Sequence, residues 1–163
     1  MTLPIEAKAW LKEIEKAFEL VQVGEDQKTA YASYCLKGEA NYWWESMRTI
    51  EGEGVIPWAR FNELFLEKYF PVFMQNQMEL KFLELKQGNM SVGEYETKFT
   101  ELARFVPEQV DTDKKKAKRF EQGLKPWIKS RVIMFELGTY TGVVQKALII
   151  ESDIEWSNRD REN

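Results

Sequence analysis

After Glu39 the apolar side chains fall at Ala40, Trp43, Trp44, Met47 and Ile50, steps of three and four that line one side of an α-helix. A half-buried sheet would need apolar residues in alternation instead. The helical period returns along nearly the whole sequence, with Gly or Pro between the periodic stretches. No window alternates between hairpin turns, and the run Leu148–Ile150 sits inside a helical pattern. The expectation is an all-α protein of about nine short helices, with no repeat at a fixed period.

The first helix opens at Pro4, where a missing N–H costs nothing, and carries Trp10, Ile14, Phe18 and Val21 before Gly24. Asp26 is placed to cap a second, which holds Tyr31, Tyr34 and Leu36 and stops at Gly38. Residues 51–56 (EGEGVI) read as a loop after the third. Pro57 starts a fourth helix with Trp58, Phe61, Leu64, Phe65 and Tyr69 on one face, and Pro71 ends it. The fifth has Met74, Met78, Phe82 and Leu85 on one stripe, with Leu80 and Leu83 on another. Ser91 and Glu94 form a capping box ahead of Val92, Tyr95, Phe99 and Leu102. Asp111-Thr112-Asp113 opens a seventh helix with Ala117, Phe120 and Leu124. Pro126 starts an eighth with Trp127, Ile128, Val132, Phe135 and Leu137. Thr139 or Thr141 caps a ninth carrying Val143, Ala147, Ile150 and Ile154, and residues 157–163 (SNRDREN) read as a frayed polar tail.

The break at Pro71 is the expected boundary between two helical lobes, 1–70 and 71–156. Charge divides there too. Residues 1–70 hold 8 basic and 12 acidic side chains, whereas residues 71–163 hold 15 of each. Composition supports a packed core, since 44% of the residues are hydrophobic and six are Trp.

The same composition removes most chemistry. The chain has no histidine and one cysteine, Cys35. A Ser/His/Asp triad, a Cys–His pair and a Cys/His zinc site are therefore excluded, as is an internal disulfide. Cys35 lies in an aromatic stretch and reads as a small buried hydrophobe. Carboxylate pairs such as Glu13/Glu15, Glu51/Glu53 and Asp111/Asp113 have no apolar surroundings that would raise a pKa. Glu51-Gly52-Glu53-Gly54 would repel phosphate, and Asp111-Thr112-Asp113 lacks the later residues of a calcium loop. No enzyme activity, metal or cofactor is expected. No apolar run reaches membrane-span length, and the first ten residues lack a signal-peptide pattern. These point to a cytoplasmic, reducing setting.

Two features have both a plain and a functional reading. Residues 114–131 carry Lys114, Lys115, Lys116, Lys118, Arg119, Lys125, Lys129 and Arg131 against Glu121 alone, a local net charge of +7. They read as a solvated helical face or as a contact for RNA, an inositol phosphate or an acidic subunit patch. The aromatics Trp10, Tyr34, Trp43, Trp44, Trp58, Phe61 and Phe65 read as core of the first lobe, or as lining of a groove for a hydrophobic peptide.

Four stretches together resemble one family, the Gag capsid domain of gypsy-class LTR retrotransposons, which is related to retroviral capsids and to the domesticated Arc capsid. They are Ala9–Phe18; Leu36-Lys37-Gly38-Glu39-Ala40-Asn41-Tyr42-Trp43-Trp44, similar to L-x-G-x-A-x-x-W-W; Trp58 through Phe61, Phe65 and Tyr69-Phe70-Pro71; and Phe82–Tyr95, continuing through Phe99, Leu102 and Arg104 to Gly123-Leu124. The resemblance covers roughly residues 5–155. Within it, residues 82–106 resemble the major homology region of retroviral capsids. There a Gln, an acid and an Arg knit a turn to a helix. Gln87 and Gly88 match, while Lys98 stands in place of the Arg and Ser91 in place of the acid. The box of Ser91 and Glu94 is expected to fix the turn instead. Gln87, Gly88, Ser91, Glu94, Tyr95, Lys98, Phe99 and Leu102 are thus read as structural.

The resemblance implies a protein that associates with itself into hexamer- and pentamer-based shells around the element's RNA, inside cytoplasmic virus-like particles. The zinc knuckle that usually follows such a capsid is absent from these 163 residues. Contact with RNA is therefore expected to be weak or indirect, and the chain is expected to be a fragment of a longer Gag or a capsid-only derivative. The alternatives are a domesticated adaptor that binds hydrophobic peptides in its first lobe, and a polyanion-binding module.

Overall fold

Helix ends in this chain are set by a few local devices. Ser91 Oγ accepts the Glu94 N–H at 3.1 Å, Thr112 Oγ1 the Lys115 N–H at 3.1 Å, and Thr139 Oγ1 the Gly142 N–H at 3.1 Å. Gly38 and Gly52 flank one helix at φ +58° and +93°, conformations that side chains resist. The computed structural model describes residues 4–162. Residues 1–3 and 163, the ends of the expected first lobe and tail, lie outside the described residues.

The helices are α1 (Pro4–Leu20), α2 (Lys28–Cys35), α3 (Glu39–Glu51), α4 (Trp58–Tyr69), α5 (Val72–Glu84), α6 (Val92–Ala103), α7 (Asp113–Gly123), α8 (Pro126–Ile133) and α9 (Tyr140–Glu162), with 3-10 turns at Glu25–Gln27 and Pro107–Gln109. The expectation of an all-α fold with nine helices holds, and no strand occurs among the described residues. None of these helices is long and apolar enough to cross a membrane.

The chain forms two compact units that divide between Gln75 and Asn76, inside α5. The core of unit 1 gathers Ala7, Leu11, Ile14 and Phe18 of α1, Ala32 and Leu36 around α2, Ala40 and Trp44 of α3, and Trp58, Phe61, Leu64 and Phe65 of α4. At the edge of this core, Arg60 donates to both carboxylate oxygens of Glu51, at 3.0 and 2.7 Å, and to Glu63 at 3.0 Å. These hydrogen bonds hold the Glu51 carboxyl below its usual range and tie the end of α3 to α4. The core of unit 2 gathers Phe82, then Val92, Tyr95, Phe99 and Leu102 of α6, and Ala117 and Phe120 of α7. Ala103, Val106 and Leu124, Ile128 and Val132 of α8, and Val143, Val144, Ala147 and Ile150 of α9 complete it.

Several expected placements are corrected. Asp26 lies inside the 3-10 turn, one residue too early, and α2 starts without a side-chain cap. Helix α1 ends at Leu20 and Gln22 turns the chain at φ +50°, so Val21 faces solvent and Leu11 joins the core instead. Tyr34 is 88% exposed, because the inward face of α2 is the one that carries Thr29 and Ala32. Ile50 is exposed too, about 120° around α3 from buried Trp44. Leu80 and Leu83 are exposed, and Phe82 is the buried residue of α5. Trp127 borders on exposed, and Phe135 lies beyond the end of α8 and faces out. Cys35 is half-buried. The frayed tail is in fact helical as far as Glu162, with the Ser157 hydroxyl bonded to Asp153 O at 2.9 Å. No Gly or Pro interrupts α9 after Gly142, and Arg159 and Arg161 sit in the last turn, where cations favour the helix dipole.

Candidate functional site

The polar centre of unit 2 is built around Gln87, which has no exposed surface and uses each of its polar groups. Its Nε2 donates to Met90 O at 3.0 Å and to Glu151 Oε2 at 3.3 Å. Its Oε1 accepts the Lys125 N–H at 3.0 Å, and its own N–H donates to Gly123 O at 2.7 Å. Gly88 follows at φ +53°, which lets the chain turn back at once. The Glu151 carboxylate also accepts the Val92 N–H at 3.0 Å, so an acid from α9 satisfies the first turn of α6. One side chain thereby ties the α5–α6 loop to the α7–α8 junction, and a second ties that loop to α9.

Tyr95 extends this centre inward. Its hydroxyl donates to Phe120 O at 2.9 Å and its ring stacks on Phe120 at 4.6 Å. Burial pushes its pKa well above the ordinary tyrosine value. Gly123 makes room for it. A Cβ there would run into the Tyr95 hydroxyl, with the ring carbon at 2.8 Å and Leu85 O at 3.1 Å. Phe99 and Leu102 are buried beside Tyr95.

The expected roles within this region are redistributed. Ser91 makes its half of the capping box, but Glu94 returns no bond to the Ser91 N–H among the described residues. Lys98 takes no part: it is exposed and lies 3.7 Å from Glu101. The acid sought near the turn is Glu151. Its only sequence signal is a carboxylate one residue after Ile150, the first of several acids on that helix, which an ordinary solvated helix face would also show.

In unit 1 the aromatic residues form a ladder along α4. Trp58 stacks on Phe61 at 5.2 Å, Phe61 on Phe65 at 5.9 Å, and Phe65 meets Tyr69 at 4.9 Å. Trp44 meets Phe61 edge-on at 4.8 Å, and Trp10 stacks on Phe65 at 5.0 Å. Trp44, Trp58, Phe61 and Phe65 are buried; Trp10 and Trp43 are half-buried; Tyr34 stands apart in solvent. The cavity beside Trp44 is only about 120 Å³, and the buried Thr29 hydroxyl that lines it has no hydrogen-bond partner among the described residues.

The eight basic residues of 114–131 do not converge on one point. Lys115, Lys118 and Arg119 line a shallow depression with Glu108, Gln109 and Gln122. Lys125 and Lys129 line another together with Lys86, a residue outside the run. Gln122 belongs to both depressions. Lys115 is paired with Asp111 at 2.8 Å, and Arg119 donates to Gln109 at 2.9 Å. Lys116 turns away and covers the Tyr140 ring at 4.1 Å, Arg131 donates to Trp127 O at 2.8 Å, and Lys114 lines neither depression.

Among the described residues no group of three or more His, Cys, Asp or Glu could hold a metal ion. The arrangement thus offers shape, buried hydrogen bonds and charge. A family model described as "Ty3 transposon capsid-like protein" matches residues 4–157. No curated protein and no solved structure matches the chain.

Proposed function

The chain belongs to the Ty3 transposon capsid-like family, a family of structural proteins, and from that membership we propose that it assembles with itself into closed shells around retrotransposon RNA. The observation that carries the reading is the extent of the match, residues 4–157, which takes in both compact units. On this reading unit 1 is the N-terminal lobe that forms hexameric and pentameric rings, and unit 2 is the C-terminal lobe that pairs between rings. Many copies of one weak contact give a stable particle while each contact stays reversible. Unit 2 supports this with apolar side chains in water: Ile133 ends α8 and Met134 and Phe135 follow it, with Phe135 held near α9 by Lys146 Nζ at 4.2 Å from its ring. Particles of this kind would form in the cytoplasm.

The test is to follow the purified chain by sedimentation and electron microscopy across protein concentration and salt. Growth into closed particles is the expected outcome. Monomers at every concentration and salt would overturn the reading.

A further inference from the structure

We propose that single-stranded RNA lies directly on unit 2, across the two depressions that meet at Gln122. The inference takes from the capsid reading only that RNA is present; the surface is argued from its own side chains. Six cations line the paired depressions, Lys86, Lys115, Lys118, Arg119, Lys125 and Lys129, and Glu108 is the one acid among the lining residues. Lys86, Lys118, Lys125 and Lys129 have no carboxylate within 4.0 Å among the described residues, so their charge is available to an outside anion.

The depression that holds Lys86, Lys125 and Lys129 has no acid in its lining, and its floor is apolar: Leu124, Pro126 and Ile133. Gly88 is exposed beside it and adds no side chain to its lining. Exposed Pro126 and Ile133 give an unstacked base an apolar surface to lie on, without the aromatic ring that dedicated single-strand binders use, while the neighbouring lysines meet phosphates. Five of the six cations are lysines, which act on phosphate as point charges, so recognition would be of backbone. A protein partner fits less well. The acidic surface of a second copy's residues 1–70 mixes 8 cations with its 12 acids and would bring like charges to these lysines. An RNA backbone is anionic throughout. The chain's net charge of −4 keeps the contact weak in one copy, and repetition over a shell would make it effective.

The substitutions that test this spare the fold, because Lys125 serves Gln87 through its backbone N–H and Lys86 is exposed. A fluorescent oligouridylate is titrated with dispersed protein over a salt series. Binding is expected to weaken with salt at a log–log slope of about −3 to −4, at ~0.7 per neutralised phosphate. K86E/K125E/K129E should lose about tenfold or more in affinity and reduce the slope by about 2. The milder K86Q/K125Q/K129Q should fall between it and the parent chain. K12E/K37E/K68E makes the same change in net charge on unit 1 and should cost less than about threefold. Equal losses in the two reversal variants, or no loss in either, would overturn the proposal. So would RNA binding that is undiminished in K86E/K125E/K129E while its self-association is lost, since the surface would then serve an acidic second copy. RNA bound here by a chain that never forms particles would sink the capsid reading and leave this inference standing. Particles whose subunits ignore oligouridylate would do the reverse.

Discussion

Unit 1 and unit 2 are both small helical bodies with aromatic cores, yet they are held in different ways. In unit 1 the rings of α4 stack on one another and receive Trp10, Phe18 and Trp44 from the other helices. The buried polar residue there is Thr29, and its hydroxyl has no hydrogen-bond partner among the described residues. In unit 2 rings also stack, but Gln87, Tyr95 and Glu151 add hydrogen bonds between segments that are far apart in sequence. Burial of apolar surface is non-directional, and a core of rings depends chiefly on filled volume. A buried hydrogen-bonded centre is directional and fails in steps when one member is removed. Unit 1 should therefore respond to lost volume, and unit 2 to lost partners.

The largest effect is expected in unit 1. Trp44→Ala removes a buried ring that packs on Phe61 and should cost about 3–5 kcal/mol. Amide exchange by mass spectrometry would locate the loss in residues 4–75. Protection lost equally in unit 2 would contradict the picture of separately held bodies.

Next comes Gln87→Ala, in unit 2. It leaves the Lys125 N–H and the Met90 carbonyl without their partner in a buried place, for about 2–3 kcal/mol. Chemical denaturation followed by the same exchange measurement checks it. A cost below about 1 kcal/mol would mean that the centre is wet and that unit 2 is held like unit 1.

High pH separates the units without mutation. Burial raises the pKa of Tyr95, and it raises that of Tyr140 in the same unit. The folded state thus binds these protons more tightly than the unfolded state does. The stabilisation is fully present below the ordinary tyrosine pKa of about 10 and is lost as pH climbs above it, at up to about 1.4 kcal/mol per pH unit for Tyr95. Tyr69 of unit 1 is also raised by burial, but its ring lies at the edge of its core. Unit 2 should accordingly open first in an alkaline titration followed by tyrosinate absorbance and amide exchange. Simultaneous opening, or unit 1 opening first, would contradict the assignment.

The contrast between the units also governs what could be read from residues alone. The ladder Trp58, Phe61, Phe65 and Tyr69 shows in the sequence because one helix period generates it. The turn at Gln87-Gly88 shows through its resemblance to capsid sequences. Glu151 does not, because it lies 64 residues from Gln87 and on its own helix is one acid among several. Lys86 is hidden by a related cause: the surface it shares with Lys125 and Lys129 is assembled from two separate stretches of chain. Tyr34 and Ile50 mislead in the opposite sense, as apolar residues near a stripe that the helix rotation carries into solvent. Polarity misleads at residues 157–162, where Arg159, Arg161 and Glu162 continue α9 although nothing is buried.

The smallest effect decides whether the turn before α6 is held locally, as a capping box would hold it, or from a distance. Two acids are available, Glu94 three residues on from Ser91 and Glu151 on α9. Glu94 makes no return bond to the Ser91 N–H, whereas Glu151 accepts from both Val92 and Gln87. Glu94→Ala should therefore cost less than about 0.5 kcal/mol, as a surface change does. Ser91→Ala should cost about 1 kcal/mol for the lost cap, and Glu151→Ala more, since two donors lose their acceptor. Coupling follows the same geometry: in double-mutant cycles Gln87 and Glu151 should interact by at least about 0.5 kcal/mol, and Gln87 and Glu94 should add. The reverse order of costs would return the turn to a local device and make the tie to α9 incidental, leaving unit 2 held by its rings much as unit 1 is.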